Sequence, residues 1–432
     1  MSSSKTQPES NSLSSSKAGG MSRRSFLRAA SAAAAAAPIL TVPILTEAHL
    51  AWAARVGGQT APGASAVARA SRVHGGLHAE VPADAVLIDA NENPLGPCAA
   101  ACEAVTAAGR QGGRYAFGKT EVLAAAIAER EWLKPEYVAV YAGSSEPLHY
   151  TVLAFTGPGR PYVTADPGYE AGMHAADKAR AQILKVPLTK DAYAHDVRAM
   201  VAASPNAGVL YICSPNNPTG TVTPKEDIRW ALAHKPKGSV LLIDEAYIHF
   251  TENESCMDMV RANEDVIVLH TFSKLYGMAG LRCGFAAARP DLLAKLEMYG
   301  MNPMPVTAVA AASASLDDAS LIAMRKKITA DTRNETLAWL RAKGYRVTPS
   351  ESNCFMLDSG RDGKQVIAAM QQRHVYIGRI WPVMPTYVRI TVGTPEEMAR
   401  FRNAWEQVMA TPVEKAARLA EPWSRIPRMY RG

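Results

Sequence analysis

The 432-residue sequence is poor in metal-binding pattern: its six cysteines and ten histidines nowhere fall at zinc-like spacing. Cys98, Cys102, Cys213, Cys256, Cys283 and Cys354 form no C-x-x-C pair, so no metal centre and no disulfide framework is expected. Cys98 and Cys102 can share a helix face, and all six read as small packing residues. No internal repeat is visible, which removes solenoid architectures. The charge excess is small as well: of the formal +7, residues 1–53 carry +3, and no basic helix or basic-aromatic interleaving accompanies the rest, so a nucleic-acid partner is not expected. The apolar run Ala29–Leu45 is alanine-rich and broken by Pro38 and Pro43, which leaves it short of a convincing membrane span.

What the sequence does have is a lysine at a strand end. Lys274 stands in Thr271-Phe272-Ser273-Lys274-Leu275-Tyr276-Gly277, directly after the apolar run Val266-Ile267-Val268-Leu269, with Arg282 a few residues on. A Schiff-base lysine needs a fixed position, nearby hydroxyls and a cation, and Thr271, Ser273 and Arg282 offer these. That is the chemistry of pyridoxal phosphate. Four more segments are compatible with it. Ser214-Pro215-Asn216-Asn217-Pro218-Thr219-Gly220 ends the strand-like Gly208–Cys213 and fixes Asn217 where its amide can bond a phenolate oxygen. Val240–Asp244 reads as a buried parallel strand ending in a carboxylate. A buried Asp244 needs a cation, and a protonated pyridine nitrogen is one; Tyr247, three residues on, can reach the same oxygen as Asn217. Gly143-Ser144-Ser145-Glu146-Pro147 follows a strand and opens a helix, whose free N–H groups bind phosphate. Arg389, on the alternating strand Tyr387–Val392, can clamp a carboxylate or phosphate.

In this order and spacing the segments resemble the fold-type I pyridoxal-phosphate aminotransferases, and within them the histidinol-phosphate aminotransferase family. The strings Asn91-Glu92-Asn93-Pro94-Leu95-Gly96-Pro97, Ser214–Gly220, Asp244–Tyr247 and Ser273-Lys274 with Ala279–Phe285 carry the resemblance, which runs from about Asp89 to about Met409. It implies an α/β fold with a large domain, built on a mostly parallel sheet of seven-stranded type flanked by helices, and a smaller α/β domain. It also implies that Lys274 is the Schiff-base lysine, that Asp244 pairs with the pyridine nitrogen, and that Asn217 and Tyr247 hold the ring oxygen O3′. Backbone groups of Ser144 and Ser145, Thr271 or Ser273, and Arg282 would form the phosphate cup. Tyr115 would reach the cofactor phosphate of a neighbouring subunit, which implies a homodimer with shared sites. Arg389, with Arg379, would hold the substrate's anionic group, with Asn93 and Leu95 also assigned to substrate binding. In one place the chain departs from the family pattern: the aromatic that stacks on the cofactor ring is replaced by Gly172 in Asp166-Pro167-Gly168-Tyr169-Glu170-Ala171-Gly172, and Tyr169 is the substitute.

The mechanism that follows is ping-pong transamination. An amino donor displaces Lys274, whose freed amine moves a proton between the donor's α-carbon and the cofactor; a 2-oxo acid such as 2-oxoglutarate then reverses the steps. The same lysine, aspartate and arginine also serve decarboxylases, lyases and amino-acid oxidases of this fold. A non-catalytic relative would be expected to lose Lys274 or Asp244, and neither is lost. The donor is either histidinol phosphate-like or an aromatic or other amino acid.

Ser22-Arg23-Arg24-Ser25-Phe26-Leu27-Arg28, the apolar stretch after it and Ala51-Trp52-Ala53 read as a twin-arginine export signal over residues 1–53, with Met21 as an alternative start. The expected address is the periplasm, reached through the twin-arginine machinery. Export argues against a cytoplasmic intermediate such as histidinol phosphate as the physiological donor. Residues 54–83 read as a linker and arm, 84–113 with 316–411 as the small domain, 114–315 as the large domain, and 412–432 as a basic tail.

Overall fold

The computed structural model describes residues 81–300 and 303–411. The expected signal in residues 1–53, the linker up to residue 80 and the tail 412–432 lie outside the described residues.

The described strands are β1 (Val86–Ile88), β2 (Val138–Tyr141), β3 (Tyr162–Asp166), β4 (Ile183–Pro187), β5 (Val209–Cys213), β6 (Val240–Asp244), β7 (Val266–Thr271), β8 (Gly284–Ala287), β9 (Cys354–Asp358), β10 (Val375–Ile377) and β11 (Tyr387–Thr391). Seven of them form one sheet in the order β2-β8-β7-β6-β5-β3-β4. β8 runs antiparallel to β2 and β7, and the other pairs are parallel. Every residue of β5, β6 and β7 is buried, as continuous apolar strands covered on both faces require. The strand period of two divides them cleanly. Leu210, Ile212, Leu241 and Ile243 pack into one apolar cluster, while Val209, Tyr211, Val240 and Leu242 pack into another across the sheet.

Two short sheets, β1 with β10 and β9 with β11, build a separate apolar cluster. Ile88, Phe355, Val388 and Ile390 pack there against Phe401 and Trp405 of the helix Pro395–Ala410. That helix opens on a capping box in which Thr394 and Glu397 satisfy each other's backbone N–H groups.

Two features differ from the sequence expectation. The helix Ala99–Gly109, expected to belong to the small domain, packs on the helix Val306–Asp317. Ala101 joins Ala308, Ala311 and Ala312 in the large sheet's cluster, because small side chains let the two helices approach closely. Cys102, expected to pack, is exposed on that helix, and Cys98 is only partly buried at its N-cap. Among the described residues no single helix is long and apolar enough to cross a membrane, and no cluster of metal-ligating side chains occurs.

Candidate active site

The parallel strands end on the same edge of the sheet, and the segments that follow them line one cleft of about 410 Å³. This is the crevice beyond the strand C-termini where open α/β sheets place their ligands. β6 delivers Asp244, β7 delivers Thr271, Ser273 and Lys274, and the turn after β5 delivers Asn217. Ser144 and Ser145 enter from the start of the helix Ser145–Phe155, Tyr169 from the segment after β3, Arg389 from β11 and Arg379 from beside it.

One end of the cleft is built for an anion. Gly143 has φ +94°, a conformation that favours glycine, and a side-chain carbon there would lie 2.1 Å from Nη2 of Arg282. Nη2 of Arg282 donates to the Ala142 carbonyl at 3.0 Å, and Nη1 donates to Ala279 at 2.9 Å and to Oγ of Ser273 at 3.2 Å. Arg282 itself has φ 65°, a left-handed backbone that its three hydrogen bonds hold in place. The guanidinium is thereby fixed beside the start of the helix Ser145–Phe155, where negative charge is favoured.

At the floor, Asp244 is 2 % exposed. Its Oδ2 accepts from the Tyr211 hydroxyl at 2.9 Å and its Oδ1 from the Ala246 N–H at 3.1 Å. Burial raises its pKa, and these two bonds, with Lys274 and His270 nearby, offset part of the rise. Tyr211 reaches it because Tyr211 lies opposite Leu242 and Cys213 opposite Asp244, so 211 and 244 share a face one step apart.

Lys274 is half-buried, and its Nζ lies 5.6 Å from the centre of the Tyr247 ring. Burial pulls its pKa down to about 8, helped by the positive charges of Arg389 and Arg282. The Tyr247 hydroxyl accepts from Nδ2 of Asn91 at 3.0 Å. Oδ1 of Asn217 accepts from Nη1 of Arg389 at 2.9 Å, which turns the amide's donor end away from that arginine. Arg389, 3 % exposed, also donates from Nη2 to the Asp89 carbonyl at 2.5 Å. Arg379 pairs with Glu170, and both guanidinium groups lie over the Trp381 ring.

Twelve residues singled out from the sequence thus meet in one cleft, and three do not. Asn93 donates from Nδ2 to the Leu275 carbonyl at 2.8 Å and accepts from the Leu95 N–H at 3.1 Å, so its amide fastens a turn. Leu95 is 42 % exposed and does not line the cleft. Neither lines this chain's own cleft; Asn91 and Glu92, two and one positions before Asn93, do. Tyr115, expected to serve a neighbouring subunit, is 77 % exposed, tilted against the Phe117 ring and outside this chain's own cleft.

Tyr169 does line the cleft, whereas position 172 cannot hold an aromatic ring. A side-chain carbon at Gly172 would lie 2.1 Å from the Tyr162 hydroxyl, which leaves no room for an aromatic ring at that position. Sequence reading missed Asn91, Tyr211, Trp381 and Glu170. Tyr211 had a signal, a lone hydroxyl in an apolar strand next to the aspartate-bearing one; the other three are placed by contacts across more than 150 residues or by a loop, with no local pattern to reveal them.

The family model described as aminotransferase class I and II matches residues 83–404. The histidinol-phosphate aminotransferase of Symbiobacterium thermophilum is 34 % identical over 334 residues, covering 76 % of this chain and 90 % of that protein. The aromatic amino acid aminotransferase of Cutibacterium acnes is 33 % identical over 341 residues, covering 78 % and 95 %. The structure of histidinol-phosphate aminotransferase from Sinorhizobium meliloti in complex with pyridoxal-5′-phosphate superposes with a TM-score of 0.71 at 25 % identity, covering 77 % of this chain and 93 % of that one.

Proposed function

The chain belongs to the class I and II aminotransferases, a pyridoxal-phosphate-dependent family, and we propose that Lys274 carries the cofactor and moves the proton as an amino group passes from an amino donor to a 2-oxo acid such as 2-oxoglutarate. The observation that carries this reading is the convergence of Lys274, Asp244, Asn217, Arg282 and Arg389 on one cleft.

The residues fit the cofactor. Asp244 is a buried carboxylate with two hydrogen bonds and a raised pKa, and a protonated pyridine nitrogen is the cation that would stabilise its charge. The helix start at Ser144 and Ser145, with Ser273, Thr271 and the fixed Arg282, suits a phosphate dianion. The donor end of Asn217 and the hydroxyl of Tyr247 would hold a phenolate oxygen, and Tyr169 would cover the ring. When bound, pyridoxal phosphate supplies a sink for the electron pair left by the departing α-proton.

The chain's own groups do the rest. Arg389 would clamp the donor's anion and so aim its α-hydrogen toward Lys274. The Lys274 amine, with its pKa near 8, is substantially neutral at mildly alkaline pH, so it can accept that proton and return it at a neighbouring carbon. Asp244 would hold a proton on the ring nitrogen of the bound cofactor. Two relatives named above act, by their names, on histidinol phosphate and on aromatic amino acids, and the donor class here falls between those readings.

Lys274→Ala, supplied with pyridoxal phosphate, is the direct test. It is expected to bind the cofactor without the visible absorbance band of the lysine-bound form and to have no turnover. Substantial transamination without an added amine would overturn the assignment.

We also infer a homodimer exported to the periplasm by the twin-arginine route. Ser22-Arg23-Arg24-Ser25-Phe26-Leu27 supports the export reading, and the exposed Tyr115 and Phe117, 77 % and 60 % exposed, support a subunit contact. Replacing Arg23 and Arg24 together by Lys should leave the enzyme in the cytoplasmic fraction, and periplasmic activity in that variant would refute export by this route.

A further inference from the structure

The two arginines beside the cleft are not equivalent. Their backbones are neighbours, since the Gly378 N–H donates to the Arg389 carbonyl at 2.8 Å. Their guanidinium groups lie over one buried indole, 4.6 and 5.6 Å from the Trp381 ring centre. Arg389 donates to two neutral oxygens, the Asn217 amide and the Asp89 carbonyl, and keeps its whole charge for a ligand. Arg379 instead meets a carboxylate. It pairs with Glu170, with the two side chains only 19 % and 14 % exposed.

Glu170 is held there rather than merely found there. It is the N-cap of the helix Ala171–Lys178, and the segment before it is latched by the Trp381 indole N–H, which donates to the Gly168 carbonyl at 3.1 Å. The backbone that carries Glu170 is thus anchored, and its carboxylate is held by the pairing with Arg379. Glu92 adds another carboxylate to the lining of the same cleft. Arg379 and Glu170 therefore cancel, and one arginine charge remains to receive the donor's anion. Such a site matches a monoanion better than a dianion, because the second negative charge of a phosphate monoester would meet an arginine already neutralised by Glu170 in a poorly solvated place.

We propose that Glu170 is a specificity-determining residue: by occupying Arg379 it sets the cleft for amino donors that carry a carboxylate at the α-carbon and discriminates against phosphomonoester donors. The inference rests on the aminotransferase reading and names its substrate class.

L-histidine and histidinol phosphate share an imidazole side chain and differ in the anionic group, so they make a clean pair, with L-phenylalanine as a second carboxylate donor. The rate at which each donor removes the visible band of the cofactor-loaded dimer or monomer, as purified, gives kcat/KM for the first half-reaction. The wild type is expected to favour the better carboxylate donor over histidinol phosphate by at least about tenfold. Glu170→Gln, which keeps the size and removes the charge, should raise the ratio of histidinol phosphate to the carboxylate donors about ten- to hundredfold, with Glu170→Ala moving it the same way. An unchanged ratio in Glu170→Gln with normal band loss would overturn the proposal alone, as would a wild type that prefers histidinol phosphate. Failure of every donor to move the band would overturn the aminotransferase reading and the proposal with it.

Discussion

Tyr211→Phe removes one oxygen from the floor of the cleft and nothing else. In the native protein that hydroxyl donates to Oδ2 of Asp244 at 2.9 Å, inside a fully buried strand pair. A hydrogen bond to a charged group is worth about 1.5–3 kcal/mol, and each pKa unit corresponds to about 1.4 kcal/mol. The pKa of Asp244, already raised by burial, should therefore rise further, because the charged form loses a donor. The sign is definite: above its pKa the carboxylate is charged and attracts a protonated ring nitrogen, and below it that attraction is lost. Cofactor affinity should accordingly weaken on acidification in both proteins, with the weakening in Tyr211→Phe setting in at higher pH. Below both midpoints the lost hydrogen bond should leave the variant binding pyridoxal phosphate about ten- to hundredfold more weakly, with a smaller difference between the midpoints and convergence at alkaline pH. Equilibrium titration of the apoenzyme with pyridoxal phosphate, followed by absorbance at a series of pH values, reads this directly. Superimposable curves would refute the assignment of Asp244 as the nitrogen's partner, and a uniform loss at every pH would mean that Tyr211 acts through packing alone.

Other consequences are equally open to measurement. In the apoprotein the Lys274 amine should titrate near 8, so its acylation by a dilute anhydride, followed by mass spectrometry of the peptide, should reach half its limiting rate about there; a midpoint at the ordinary lysine value of about 10.4 would contradict the buried, arginine-flanked setting. Gly143→Ala forces a left-handed residue to carry a side chain 2.1 Å from Arg282 and should lower cofactor affinity at least about tenfold, measured by the same titration, whereas wild-type affinity would remove Arg282 from the anion end. Gly172→Ala drives a methyl group into the Tyr162 hydroxyl and should destabilise the protein by about 1–3 kcal/mol in urea unfolding, and no loss would show that the helix there can move aside.

Much of the sheet was legible because its strands obey one physical rule. β5, β6 and β7 are covered on both faces, so they must be apolar along their whole length, and such runs stand out in sequence without any knowledge of partners. The residues that end those runs were legible for a related reason. A lysine or an aspartate at the close of an apolar strand is costly unless something receives it, so Lys274 and Asp244 announced themselves. The helix Ala99–Gly109 offered no such signal. Its alanines suit either lobe, and only the small residues of Val306–Asp317, some two hundred positions away, decide the matter.

What the sequence left unseen in the site shares a cause. In Asn91-Glu92-Asn93 the two asparagines are alike as residues, and the choice between them is made by backbone. Asn91 takes φ 52°, and its amide is tied to Tyr247, Cys354 and Thr391, all remote in sequence, while Asn93 is drawn to the Leu275 carbonyl. The same holds for Arg379, whose sequence neighbours say nothing of Glu170, 209 positions away. Sequence reading finds the groups that do chemistry because their types are rare in apolar surroundings. It does not find the groups that tune them, because a tuning residue is ordinary in type and matters only through where the fold puts it. On this reasoning Glu170 and Tyr211, rather than Lys274 or Asp244, are the positions expected to set donor choice and pH response in this chain.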